Sequence, residues 1–278
     1  MATTYDAVAG MIRHRLKEQN KNYICFTVGE TGSGKSRLDL ALAEKVDPTF
    51  NAENCRVAFK AVDFMRMVKS AKKYQAIVFE EAGVAISVRE WQSKINKIMG
   101  AVGQIFRELN LCVFFNVPSM AFVDKQIKIV SHAIIHTQGI DYKQNVTRSR
   151  YWVVHHDPVR DITNLEYLEL TGENGERWVI DNIYTPMPSP ELDAVYAKMK
   201  REFNQNYYDK ALEELERIEQ GISDNKKRIL VLENKEQVLS KVLPIAKQEY
   251  TWEELETICG VSARQMQRWA QHDKTTPL

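Results

Sequence analysis

Cysteine is scarce in this sequence, and the few cysteines lie far apart. The 278-residue chain contains four, at Cys25, Cys55, Cys112 and Cys259. They form no C-x-x-C pair and no spacing typical of a disulfide framework, which argues against a thiolate metal site and against a small disulfide-stabilised secreted domain. A reducing compartment, the cytoplasm, is the predicted location.

Long apolar runs and an excess of one charge are also absent. No uninterrupted apolar stretch has the length of a membrane span, and the N-terminus has no signal-peptide core. The 38 basic residues nearly balance the 37 acidic ones, for a formal charge of +1. Such a protein can bind nucleic acid only through local patches. We expect a chain without a membrane segment.

One stretch carries a complete phosphate-loop motif, G-x-x-x-x-G-K-S. Its residues are Gly29-Glu30-Thr31-Gly32-Ser33-Gly34-Lys35-Ser36, followed by Arg37. The apolar run at 23–28 predicts a buried strand before the motif, and residues 35–45 predict a helix after it, which is the order that the motif requires. The glycines let successive backbone N–H groups converge on a polyphosphate at the helix N-terminus.

The last two residues of the motif predict the chemistry of the site. Lys35 would reach the β- and γ-phosphates of ATP, and the Ser36 hydroxyl would bind the Mg²⁺ that neutralises them. We predict that residues 29–37 bind ATP with Mg²⁺. The alternative is a glycine-rich turn without a ligand.

Short apolar runs alternate with longer amphipathic ones from residue 23 onward. The pattern predicts strands at 23–28, 56–59, 76–79, 111–116 and 133–137, and helices at 35–45, 62–73, 91–109 and 121–131. Such alternation is typical of an α/β fold, a parallel sheet with helices on both faces. Nucleotide should then bind at the carboxyl ends of the strands.

The strand at 76–79 ends in two acidic residues, Glu80 and Glu81. An apolar strand followed by two acids is typical of the second half of a nucleotide-hydrolysing site. There the first acid, Glu80, holds Mg²⁺, usually through water, and the second, Glu81, polarises the attacking water. A pair of acids that caps the strand is the alternative.

Two further polar residues follow this pattern near the next strand. Asn116, at the end of the strand at 111–116, could orient water or sense the γ-phosphate, or could simply begin a loop. Arg107, just before that strand, could reach the nucleotide of a neighbouring subunit or pair with an acid. Arg148 and Arg150 compete with Arg107 for that role.

Together these motifs resemble the HerA/FtsK class of P-loop ATPases over about two fifths of the chain, residues 23–137. The class includes DNA translocases, viral genome-packaging and conjugation ATPases, and Zot-like morphogenesis proteins of filamentous phages. The resemblance implies catalytic roles for Lys35, Glu81, Asn116 and Arg107, and a metal role for Ser36 with Glu80. It also implies a homo-oligomer, commonly a hexameric ring. Here Glu80 and Asn116 replace the usual Asp and Gln.

The segment after residue 137 allows two interpretations. Basic residues surround aromatic ones in it, at Tyr142, Lys143, Arg148, Arg150, Tyr151, Trp152 and Arg160. They could contact nucleic acid, or could form an edge strand with a charged outer face. Residues 166–170 and 176–180 flank a turn sequence and predict a β-hairpin that extends the sheet.

Three prolines at 186–190 predict a domain boundary. Apolar residues at alternating four- and three-residue spacings over 191–243 then predict a coiled coil or a helical hairpin that bends at Gly221 or Asn225. The predicted divisions are an N-terminal helix at 1–21, a P-loop ATPase domain at 22–185, a linker with the long helix at 186–245, and a C-terminal module at 246–278.

The C-terminal module resembles a helix-turn-helix. An apolar first helix is followed by a turn that contains Gly260 and by a second helix after Ser262. On the second helix, Arg264, Gln265, Gln267 and Arg268 would face outward, and these residue types can bind base edges or phosphates. A small protein-docking module is the alternative, because the segment is not net basic.

The sequence as a whole therefore predicts an ATP-hydrolysing motor that acts on DNA, with hydrolysis at a subunit interface. Two other functions stay open. One is an ATP-dependent switch or regulator whose C-terminal module binds DNA. The other is an assembly ATPase of the Zot-like type.

Overall fold

The central strands of the protein are buried along their whole length. In the computed structural model, which describes residues 3–80, 105–123, 125–171 and 175–272, every residue of β1 (Tyr23–Val28), β3 (Ala76–Glu80) and β4 (Cys112–Val117) is buried. Strands covered on both faces favour continuous apolar runs over alternation. This is why short apolar runs located these strands in the sequence.

The described residues form nine strands and seven α-helices. The remaining strands are β2 (Val57–Ala58), β5 (Ala133–Asp141), β6 (Val146–Asp157), β7 (Ile162–Thr171), β8 (Arg177–Ile180) and β9 (Asn182–Pro186). The helices are α1 (Thr4–Lys17), α2 (Lys35–Val46), α3 (Ala61–Ser70), α4 (Lys125–Val130), α5 (Pro190–Ala246), α6 (Trp252–Cys259) and α7 (Ala263–His272). A short 3₁₀ helix spans Met120–Phe122.

The sheet has a parallel half and an antiparallel half. Its strand order is β2-β3-β4-β1-β5-β6-β7-β8, with β9 paired to β6. The first five strands in this order pair in parallel, and every pairing beyond β5 is antiparallel. The predicted parallel α/β sheet is therefore part of a mixed one, and the predicted hairpin is present as β7 and β8.

The edge-strand interpretation of the segment after residue 137 is wrong. Arg148, Arg150 and Tyr151 lie in β6, which pairs with β5, β7 and β9. Tyr151 is buried, and its hydroxyl lies 2.8 Å from that of Tyr23. Arginines that alternate with uncharged residues resemble an edge strand in sequence, but here the uncharged face of the strand packs into the core while Arg148 and Arg150 stay exposed.

Two hydrophobic clusters lie on the two faces of the sheet, as the prediction of helices on both faces requires. In β1, Tyr23 and Cys25 belong to one cluster, with α1, α2 and the first turns of α5, while Ile24, Phe26 and Val28 belong to the other, with α3. The alternation follows from the two-residue period of a strand. Both faces of β1 are thus covered by helices.

Most predicted helices are present with shifted ends. The N-terminal helix is α1, whose Thr3 and Asp6 form a reciprocal capping box. The predicted helix at 121–131 is divided into the 3₁₀ helix and α4. Most of the helix predicted at 91–109 lies outside the described residues, and residues 105–108 are helical.

The chain divides into two compact units, residues 1–205 and 206–278. The described α5 is continuous over 57 residues, without the turn that a helical hairpin requires. In the second unit, α6 and α7 enclose a small core with Leu243, Leu255 and Met266. The domain boundaries predicted from the sequence, and a coiled-coil partner for α5, stay predictions.

Across the described part of the chain, no helix is both long enough and apolar enough to cross a membrane.

Candidate functional site

A glycine-rich loop joins the end of β1 to the start of α2. Gly34 caps α2 in the left-handed conformation, with φ 92°, and Lys35 is the first helical residue. Gly29 has φ 148°, and a Cβ atom placed there would lie 2.2 Å from Thr137 Oγ1. Both positions require glycine, because a side chain would be strained in φ and at position 29 would overlap β5. The loop therefore presents backbone rather than side chains at the N-terminus of α2.

Hydroxyl groups anchor the underside of the loop to β5. Ser33 Oγ donates to the Glu30 carbonyl at 2.7 Å and lies 2.6 Å from Thr137 Oγ1. Thr137 Oγ1 in turn donates to the Val28 carbonyl at 3.1 Å. Ser33 thus supports the loop from within, while its neighbours face the cavity described below.

Lys35 lies over the loop. Its Nζ donates to the carbonyl oxygens of Gly29 at 2.7 Å and Glu30 at 2.8 Å. Burial lowers the pKa of Lys35, the charge of Glu80 opposes this, and the ammonium of Lys200 adds to it. A second cation in the same pocket is the arrangement expected of a site for a polyanion.

Ser36 and Asn116 both hydrogen-bond to Glu80. Ser36 Oγ donates to Glu80 Oε1 at 2.6 Å, and Asn116 Nδ2 donates to Glu80 Oε2 at 3.4 Å. Asn116 reaches Glu80 because β4 lies between β1 and β3, so that Asn116 is opposite both Thr27 and Glu80 in the strand register. The structure therefore brings together Ser36, Glu80 and Asn116, which the sequence placed in one site.

Asp39, on α2, is a buried acid of the site that sequence reasoning missed. It accepts a 2.5 Å hydrogen bond from Thr27 Oγ1 and a 3.5 Å one from Asn116 Nδ2. Burial raises the pKa of Asp39 well above its ordinary value; the hydrogen bond from Thr27 opposes this, and the charge of Glu80 adds to it. A lone acid within the apolar run at 38–43 was the available signal, since Asp is rarely fully buried without a partner.

The first turns of α5 also border the site, which the sequence did not indicate. Arg37 of α2 forms a two-bond ion pair with Asp193, at 3.4 Å for each contact. Lys200 Nζ donates to Glu80 Oε1 and to the Tyr196 hydroxyl, at 2.8 Å each. No local pattern in the sequence shows that a helix beyond three prolines returns to the phosphate loop.

These side chains surround a cavity of about 500 Å³. The loop and α2 contribute Thr31, Gly32, Gly34, Lys35, Ser36 and Arg37 to its lining, and other elements contribute Glu80, Asn116, Pro118, Ile140, Tyr142, Tyr196, Lys200 and Asn204. Most residues of the predicted phosphate loop therefore face one cavity, which lies at the carboxyl end of the parallel strands.

The residues present suit Mg²⁺ bound together with a nucleotide. Within the described ranges, no three His, Cys, Asp or Glu side chains gather into a metal site. Mg²⁺ is typically bound by one or two protein oxygens together with substrate phosphates and water. The Ser36 hydroxyl and the Glu80 carboxylate, 2.6 Å apart, are such oxygens.

The other predicted site residues lie elsewhere. Glu81 is outside the described residues. Arg107 is exposed, in the helical residues before β4, and is not part of the cavity lining. In the second unit, the four predicted DNA-contacting residues of α7 are exposed, while Met266 and Trp269 of the same helix are buried. The outward-facing side predicted for α7 is therefore present, and its role stays a prediction.

Comparisons with known proteins give little beyond this geometry. No protein-family profile matches the sequence, and no curated protein matches it. Among solved structures, the chain is similar to the N-terminal domain of zonular occludens toxin from Neisseria meningitidis, with 13% identity and a TM-score of 0.29, over 53% of this chain and 95% of that one. A similarity this weak supports no inference about activity.

Replacing Gly29 with Ala should destabilise the protein. The new Cβ would lie 2.2 Å from Thr137 Oγ1 and 2.8 Å from the Thr137 carbonyl oxygen, at a φ of 148°. Overlap in a packed region and strain in φ together predict a loss of about 2–4 kcal/mol in the free energy of unfolding. Urea denaturation would measure it. Gly10→Ala in α1 is the control, because nothing lies within 4 Å of the added Cβ. An equal effect in both variants would contradict the predicted close approach.

Asp39→Asn should change how stability depends on pH. The folded-state pKa of Asp39 is raised, so the folded protein keeps a proton that the unfolded chain releases above about pH 4. Wild-type stability therefore falls as pH rises from there toward the raised pKa, by at most about 1.4 kcal/mol per pH unit for this group. The variant lacks this contribution.

Urea denaturation over a pH series from about 5 to 8 measures the difference between the two proteins. The stability of Asp39→Asn relative to wild type should increase with pH. Parallel curves would show that Asp39 is charged in both the folded and the unfolded state.

Proposed function

We propose that this protein is a P-loop ATPase that binds ATP with Mg²⁺ and hydrolyses it. One observation carries the proposal. Lys35 and Ser36, at the N-terminus of α2, line the same cavity as Glu80, at the end of β3, and Ser36 donates a hydrogen bond to Glu80. A helix N-terminus preceded by glycines in left-handed conformations attracts phosphate through its free N–H groups and its dipole. The carboxylate beside Ser36 supplies the metal side of the site.

Each residue has a role in this proposal. Lys35 and the backbone of the loop bind the phosphates, and Ser36 with Glu80 holds Mg²⁺, which neutralises developing charge when bound. Asn116, held between Glu80 and Asp39, orients water or senses the terminal phosphate. Glu81, which follows Glu80 directly, polarises the attacking water.

We extend the proposal to an ATPase that acts on DNA as a homo-oligomer. Support for DNA comes from α7, whose exposed side carries Arg264, Gln265, Gln267 and Arg268, because arginine and amide side chains bind phosphates and base edges. Support for hydrolysis between subunits comes from Arg107, which is exposed and lies outside the cavity lining of its own chain. The switch or regulator and the Zot-like assembly ATPase are the alternatives.

Lys35→Ala should remove most ATP binding. Hydrogen bonds to charged groups contribute about 1.5–3 kcal/mol, so the affinity should fall roughly 10- to 100-fold. Calorimetric titration with ATP and Mg²⁺ measures this, and circular dichroism checks the fold. Lys45→Ala, in the last turn of α2, is the matched control and should bind like wild type. Full ATP affinity in Lys35→Ala would refute the phosphate-loop assignment.

DNA should stimulate steady-state ATP turnover. Replacing both Arg264 and Arg268 with Ala should reduce the stimulation, since two phosphate or base contacts would be lost. Glu81→Gln should bind ATP but not turn it over, which sets the background of the assay. Arg66→Ala, in an exposed ion pair on α3, is the control for loss of surface charge. Turnover indifferent to single- and double-stranded DNA would favour the switch or assembly alternatives.

A further inference from the structure

Lys200 touches the oxygen pair to which Mg²⁺ is assigned, although it lies far from the phosphate-loop motif in sequence. Its Nζ donates to Glu80 Oε1 at 2.8 Å and to Ser36 Oγ at 3.4 Å. Glu80 is almost fully buried, whereas the Lys200 side chain is 38% exposed on the cavity side. The ammonium thus lies at the boundary between the buried carboxylate and the cavity.

The first turns of α5 hold this lysine in place. One turn before it, Tyr196 is 5% exposed, and its ring stacks on the ring of Phe59 with 6.2 Å between ring centroids. Phe203 also stacks on the Phe59 ring, with 5.1 Å between centroids. Asp193 pairs with Arg37 of α2. Because ring stacking before and after Lys200 and an ion pair before it hold the first turns of α5, the fold directs the cation at the site.

The Lys200 ammonium and a bound Mg²⁺ would compete for the same oxygens of Glu80 and Ser36. Mg²⁺ lies about 2.0–2.1 Å from its oxygen ligands, and Lys200 Nζ is 3.4 Å from one of the proposed ligands, Ser36 Oγ. Two cations this close repel strongly in a partly buried site. The phosphate group that Mg²⁺ binds is the anion available to separate them.

We propose that Lys200 is a direct ligand of the terminal phosphate of the bound nucleoside triphosphate, and that it distinguishes triphosphate from diphosphate. The inference rests on the proposed ATP-binding function. With Mg²⁺ held by Ser36 and Glu80, the Lys200 ammonium would donate to the terminal phosphate instead of to the Glu80 carboxylate. Lysine suits this role because its charge sits at the end of a flexible stem with donors that rotate freely. Lys200 is then a cation supplied within the same chain, independent of any arginine from a neighbouring subunit.

The test compares the affinities of two nucleotides. Wild-type protein is titrated calorimetrically, at saturating Mg²⁺, with ADP and with a β,γ-imido analogue of ATP that is not hydrolysed. Lys200→Met keeps the length of the side chain and removes its charge. It should weaken binding of the analogue about tenfold or more, the effect of losing a charged hydrogen bond, and change ADP binding much less.

Three controls sharpen the comparison. Lys198→Met, at an exposed position of the same helix, should change neither affinity. Lys200→Arg keeps the charge and should retain most of the preference for the analogue. Lys200→Gln gives a second neutral variant if Lys200→Met does not fold, which thermal unfolding would reveal, and it should lose the preference in the same way.

Several results would overturn the proposal. An unchanged ratio of the two affinities in the neutral variants would show that Lys200 does not bind the terminal phosphate. Tighter binding of both nucleotides, or a lower Mg²⁺ requirement, would show instead that Lys200 competes with the metal for Glu80. If the wild-type protein bound neither nucleotide, both proposals would fail. If wild type bound them and Lys35→Ala did not, only the role of Lys200 would be in question.

Discussion

Glu80 ends strand β3 with its carboxylate almost fully buried, and side chains from three other elements donate hydrogen bonds to it. These are Ser36 from α2, Asn116 from β4 and Lys200 from α5. A buried carboxylate is costly unless it is paired and hydrogen-bonded. The hydrogen bonds that satisfy the Glu80 carboxylate also hold α2, β3, β4 and α5 together at one end of the sheet. The candidate site is therefore organised around one buried carboxylate and the three side chains that donate hydrogen bonds to it.

Asp39 is a second buried acid in the same region. It lies in the second turn of α2, fully buried, with Thr27 and Asn116 as hydrogen-bond donors. Burial raises the pKa of Asp39 and the charge of nearby Glu80 adds to the shift, so the surroundings of Asp39 favour its neutral form. Asn116 touches both acids and couples them.

Strands β5 and β6, where the sheet changes from parallel to antiparallel pairing, support the phosphate loop. Thr137 of β5 contacts Ser33 and leaves no room for a Cβ atom at Gly29. Thr147 of β6 lies close to Gly34, where a Cβ atom would be 2.8 Å from the Thr147 hydroxyl. Gly29 and Gly34 are therefore needed for close packing on two strands as well as for backbone conformation. The phosphate loop thus packs against β5 and against the antiparallel strand β6.

The sequence by itself determined the local parts of this protein. Apolar runs located the buried strands, and the glycine motif fixed the loop between β1 and α2, because both signals act over a few residues and depend on backbone sterics and burial. The strand predicted at 111–116 is present as β4, Cys112–Val117. Only the tertiary structure decided that β6 is an internal strand, that Asp39 is buried against Thr27, and that Lys200 reaches Glu80. These contacts join residues up to 120 positions apart, as for Lys200 and Glu80. No local pattern encodes such pairs, because they arise from the packing of whole elements against one another.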